Sequence, residues 1–167
     1  ISKGFKAVFY VLKNKSLNEP DYLTATQIRT IADMGHLIGI HGKDLKWWPS
    51  KSEEQLIEEF QETMDWIESL TKTPVITCSA PGGILDSRTV KIIRSHFPTL
   101  KYIRSSACTY NTDVDSGRIL NSMAIGHGVS MDEFRKIIET APWYYWHKYA
   151  SYVAKDAIKR LIRMMKG

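Results

Sequence analysis

Cysteine is scarce in this 167-residue chain, which has only Cys78 and Cys108. Two are too few for a disulfide framework or a cysteine-built zinc site, and both are expected as buried thiols. No run of 18 apolar residues occurs, so these residues contain no sequence suited to a membrane-spanning helix. No Gly-x-Gly-x-x-Gly follows the first strand-like run, which removes the usual phosphate loop of a dinucleotide fold. Internal repeats, low-complexity stretches, interdomain linkers and nucleic-acid recognition motifs are also missing.

With 43% hydrophobic and 25% charged residues, the chain is expected to form one domain over 1–167 around a single core. Its net charge of +5 is local. Six of the 23 Lys/Arg but one of the 18 Asp/Glu lie in residues 143–167, leaving 17 of each in the remainder. The body is neutral and the tail, about 143–165, reads as a basic helix. Trp143, Tyr144, Tyr145 and Trp146 at its start, with Ile158, Leu161, Ile162 and Met165 beyond, suit a helix that closes the domain. They equally suit one lying on an anionic membrane surface. A cytoplasmic or membrane-associated location is expected, and nucleic acid is not an expected partner. The sequence opens on Ile1, just ahead of a strand-like run, so further residues are expected upstream.

Strand-like runs fall near 6–12, 37–41, 75–79, 102–107 and 119–125. Between them Thr24 caps a helix to Met34, and Ser50 with Glu53 forms a capping box for a long helix with Leu56, Phe60, Met64, Ile67 and Leu70 on its apolar face. Asp86 caps a helix to about Ser95, Ser130 caps another, and Lys13 to Asp21 reads as a polar loop. Alternating strands and helices fit either a doubly wound sheet or a (β/α) barrel.

The segment Gly35-His36-Leu37-Ile38-Gly39-Ile40-His41-Gly42-Lys43-Asp44 carries the strongest signal. It sets His41 at the tip of an apolar strand where a loop begins, which is where α/β folds keep their chemistry. His36 follows a helix-ending glycine and is expected to tie the turn through a ring N–H bond. Trp47-Trp48 is placed either to stack on a sugar ring or to pack the rim. Glu53, Glu54, Glu58, Glu59 and Glu62 read as a solvated helix face.

Met34-Gly35-His36-Leu37-Ile38-Gly39-Ile40-His41 resembles the Gly-His-Glu-Ile-Gly-x-His segment of the polysaccharide deacetylase (NodB-homology) family, carbohydrate esterase family four. Lys6 to Val11 resembles that family's second strand, and Ala80-Pro81-Gly82-Gly83 the end of its Arg-x-Pro-x-Gly motif. The resemblance covers most of residues 5–140. It implies a distorted (β/α) barrel, incomplete at its N-terminus, whose divalent metal, often zinc, activates water to hydrolyse an N-acetyl group on an amino sugar.

By the same resemblance His41 is a metal ligand, and the second ligand of His-x-x-x-His falls on Leu45, which cannot ligate. Asp44, one residue earlier, is the substitute ligand. The family's third-motif Arg aligns with Ser79. The Gly82 N–H stands where an oxyanion donor is expected, with Pro81, Gly83, Trp47 and Trp48 as substrate contacts. Ile125-Gly126-His127 resembles the late Leu-x-His, making His127 the general acid. Asp113 and Asp115 fall where the family has an acid followed by Trp, and no Trp follows here. The first-motif Asp pair has no counterpart in residues 1–167. Leu45 and Ser79 also fit an inactive domain that keeps only glycan or partner binding, and the basic tail a membrane-docked scaffold.

Overall fold

The computed structural model describes residues 4–106, 111, 119–122, 125–139 and single positions between 146 and 158. The chain divides into two compact units, residues 1–105 with 115–119, and residues 106–114 with 120–167.

The first unit is built on parallel strands β1 (Val8–Val11), β2 (Leu37–Ile40), β3 (Thr77–Ser79) and β4 (Tyr102–Arg104). With β5 (Ile119–Leu120), strand order follows chain order, β1-β2-β3-β4-β5. A doubly wound sheet reverses direction at a switch point, and this order has none, so the fold is a parallel α/β sheet wound one way. Every expected strand is present, though each is shorter than its apolar run.

Register explains the two faces of the sheet. Tyr10 pairs with Gly39, Ile40 with Cys78 and Ser79 with Arg104. Alternation then puts Phe9, Val11, Ile38, Ile40, Cys78 and Ile103 on one side and Tyr10, His41, Thr77, Ser79 and Arg104 on the other. The apolar side joins the core with Ile28, Leu56, Phe60, Ile67 and Ile93 from helices α2 (Ala25–Asp33), α3 (Glu53–Thr71) and α4 (Ser87–His96). Cys78 is a buried free thiol, as expected, and burial pushes its pKa up. Cys108 lies outside the described residues.

Local signals account for most helix starts. Thr24 and Gln27 form a reciprocal capping box for α2, Asp86 accepts the Thr89 N–H at 2.7 Å for α4, and Ser130 accepts the Glu133 N–H at 3.1 Å for α5 (Met131–Ile138). For α3 the box is Ser52 with Gln55, not Ser50 with Glu53, because Ser50 belongs to a short 3-10 turn, Trp48–Ser50, that comes first.

One helix contradicts the sequence reading. Lys13–Asn18, read as loop, is helix α1. Its N-cap, Leu12, has no capping side chain. The Lys13 and Asn14 N–H groups instead donate to the carbonyls of Gly42 and Lys43, at 3.1 and 3.0 Å. A partner from another part of the chain has replaced the local cap.

Of the expected C-terminal helix most residues lie outside those described. Positions 146, 150, 151, 153–155, 157 and 158 are helical, with Trp146 and Ile158 exposed. Among the described residues no helix is long and apolar enough to cross a membrane.

Candidate active site

The polar side of the sheet runs out at the carboxyl ends of β2, β3 and β4, and His41 stands there, half-buried. Its backbone N–H continues the β1 pairing by donating to Val11, and its ring Nδ1 lies 2.7 Å from the Ser79 carbonyl oxygen. A carbonyl only accepts, so Nδ1 carries the proton. Nε2 is left with its lone pair in the neutral ring. That is the tautomer a metal ligand or proton acceptor requires, set by a backbone group.

Three contacts hold the His41 loop. The N-terminus of α1 binds its carbonyls, as above. Gly42 adopts φ +104, and a Cβ there would lie 2.5 Å from Glu59 Oε1 and 3.2 Å from Trp48 Nε1. Only glycine lets this backbone pass so close. Glu59 itself is 3% exposed, accepts the Lys43 N–H at 3.1 Å and forms an ion pair with Lys51.

Glu59 thus corrects the expectation of a wholly solvated acidic face. It lies three residues after Leu56 and four before Thr63, inside the helical stripe that also contains Phe60 and Ile67, all buried. That spacing was the available signal. Its neighbour Glu62 does face outward, and pairs with Lys43 at 2.9 Å and Lys13 at 3.2 Å. These bonds hold the Glu62 carboxyl below the usual carboxylate range and raise Lys43.

Asp44 turns its carboxylate to the Lys46 N–H at 3.0 Å and lies 3.6 Å from Lys51 Nζ. Leu45 is 54% exposed. Among the described residues no group of three His, Cys, Asp or Glu side chains is placed to hold a metal. The described residues therefore offer one preset ligand, His41, and do not by themselves fit a metal ion.

The tryptophan pair divides. Trp48 is fully buried, edge-on to Phe60 at 4.8 Å between centroids, so it packs the core and cannot meet a sugar. Trp47 is about half exposed, and its indole nitrogen lies 3.4 Å from where a Cβ on Gly82 would be. The loops after β2 and β3 therefore meet at Trp47 and Gly82. Pro81 is buried, Gly82 adopts φ +63, and the Gly83 N–H closes the turn onto Ala80 at 2.8 Å. This is a type II-like turn that exposes the Gly82 backbone.

His36 is structural, as expected, but by the reverse bond: its Nδ1 accepts the Ala7 N–H at 3.1 Å, and its ring meets Phe9 edge-on. His127 sits exposed in a Gly126–Val129 turn of the second unit. Asp113 and Asp115 lie outside the described residues.

One residue of this mouth escaped the sequence reading. Arg104, closing β4, donates from Nη1 to Ser79 Oγ at 3.2 Å, with its guanidinium carbon 6.0 Å from the Tyr10 ring centroid. Tyr10 is itself held by Thr77 at 2.9 Å, and burial outweighs that bond to raise its phenol pKa.

A sequentially ordered parallel sheet, helices on its apolar side and a polar mouth at the strand ends define an α/β protein with a strand-end site. The polysaccharide deacetylase family model matches residues 2–97, more than half of the chain, and the chain belongs to that family. Solved structures agree in fold. The Streptococcus pyogenes deacetylase PplD aligns with TM-score 0.69 at 16% identity, over 78% of this chain and 57% of that one. A de-N-acetylase from Aggregatibacter actinomycetemcomitans gives 0.66 at 11% identity, over 81% and 66%. A Bacillus cereus polysaccharide deacetylase gives 0.65 at 16%, over 78% and 41%. The aligned part is thus less than two thirds of each of these chains. A comparison with curated proteins found no match.

Proposed function

We propose that this chain forms part of a carbohydrate deacetylase that hydrolyses N-acetyl groups of an amino-sugar-containing glycan. The observation that carries this is the His41 Nδ1 bond to the Ser79 carbonyl, which leaves Nε2 as the accepting nitrogen of a ring placed at the strand ends. Family membership supports the reaction class and a polysaccharide substrate, as does the similar Bacillus cereus polysaccharide deacetylase.

In this reading Trp47 offers an aromatic face to a sugar ring, and the Gly82 N–H at its exposed turn faces the developing oxyanion. A divalent metal such as zinc is the usual source of activated water in this family, and His41 is the one described residue preset to ligate it.

Acetate release from N-acetylated amino-sugar oligosaccharides, measured with zinc content on the full chain and on His41→Ala, tests this. Release and metal that both disappear in the variant support it. Release undiminished in His41→Ala overturns it. A second reading, an inactive domain that still binds glycan, is favoured by Leu45 and by the engagement of Asp44 with Lys46 and Lys51. Oligosaccharide binding without acetate release, weakened by Trp47→Ala, is its outcome.

A further inference from the structure

Arg104 closes β4 at this mouth with its guanidinium bonded to Ser79 Oγ. A guanidinium has five N–H donors in a planar fork. Here one is committed, to the neutral Ser79 hydroxyl, and among the described residues no carboxylate lies within ion-pair distance of the others. The side chain is half-buried, where an unpaired charge is costly and a charged partner is gained cheaply.

Its position is fixed. Register sets Arg104 opposite Ser79, and Tyr10, tied to Thr77, lies beneath the guanidinium. Ser79 in turn accepts His41 on its carbonyl, so both side chains converge on one residue at the strand ends. The Ser79 side chain is neutral, so it does not quench the cation.

We propose that Arg104 makes this mouth a binding site for a carboxylate, held bidentately by the outer edge of the guanidinium. The carboxylate belongs to a free carboxylic acid or to an acidic sugar. This recognition does not depend on hydrolysis, and so stands or falls apart from the deacetylase reading.

The test is titration of the full chain with acetate, glucuronate and, as the uncharged control, glucose, read by nitrogen-edited NMR on the backbone N–H signals of Ser79 and of position 104, which persist in every variant. Saturable shifts with acetate and glucuronate and none with glucose are expected, with Arg104→Gln weakening the binding about tenfold or more and Arg104→Lys less. Tighter binding of glucuronate than acetate assigns the site to an acidic sugar, and the reverse to a free acid. Retained folding of each variant is read from its circular dichroism, and Arg104→Lys keeps the charge should Arg104→Gln fail to fold. Absence of any shift, equal shifts with glucose, or carboxylate affinity unchanged in Arg104→Gln or Arg104→Lys would overturn the proposal.

Discussion

The Ser79 carbonyl oxygen lies 2.7 Å from His41 Nδ1, so a backbone atom, not another side chain, decides which nitrogen of the candidate catalytic ring carries the proton. Ser79→Ala keeps that carbonyl and removes only the hydroxyl that accepts Arg104. The expected outcome is an unchanged Nδ1–H tautomer of His41 in nitrogen NMR at neutral pH, together with an altered Arg104 environment. A switch to the Nε2–H form would refute backbone control.

Glu59 anchors the same loop from below. It is 3% exposed and serves both the Lys43 N–H and Lys51. Removing one member of a buried pair strands the other, at a cost of about 3–5 kcal/mol. Glu59→Ala is therefore expected to lower unfolding stability in urea by about that much. Glu59→Gln, which keeps an acceptor for the Lys43 N–H, is expected to cost less. Equal losses would mean the ion pair alone matters.

Much of this was readable in the residues, and what was not has a physical reason. Strand-like runs and His41 emerged because apolar alternation and glycine placement are local. Helix α1 was hidden because its first N–H groups bond to Gly42 and Lys43, some thirty residues away, where a local cap would have announced it. Arg104 was hidden because nothing near it in sequence marks it. Only the β3–β4 register sets it opposite Ser79. Glu59 was visible in principle, since it falls on the buried helical stripe, but charge suggested solvent. Trp47 and Trp48 are adjacent and alike in type, and only packing against Phe60 separates their fates.

Two positive-φ glycines give a graded test of loop geometry. At Gly42 a Cβ would meet Glu59 Oε1 at 2.5 Å as well as suffer φ +104. At Gly82 the nearest atom would be 3.4 Å away, an ordinary contact, with φ +63. Gly82→Ala is expected to cost about 1–2 kcal/mol, the usual penalty of the left-handed region. Gly42→Ala is expected to cost more, because Glu59 must also move. Thermal unfolding of the two variants side by side decides this, and a milder effect at Gly42 would contradict the close approach.

Acid should loosen the same loop through Glu62, which ties Lys43 of the His41 loop and Lys13 of α1 to helix α3. Hydrogen bonds from Lys43 first and Lys13 second lower the Glu62 pKa in the folded protein. A carboxyl whose folded pKa lies below its unfolded value, about 4.3, contributes stability that is fully present above that value. The contribution is lost as pH falls through the folded value. The pair is partly exposed, so the effect is modest and screened by salt. The expected result is that Glu62→Gln removes part of the stability at neutral pH and flattens the decline below about pH 4.3, with the gap to the unmodified chain closing in acid and narrowing at high salt. Unfolding curves collected across pH at low and high ionic strength measure it. A gap that stays constant into acid would show that Glu62 does not act through its charge.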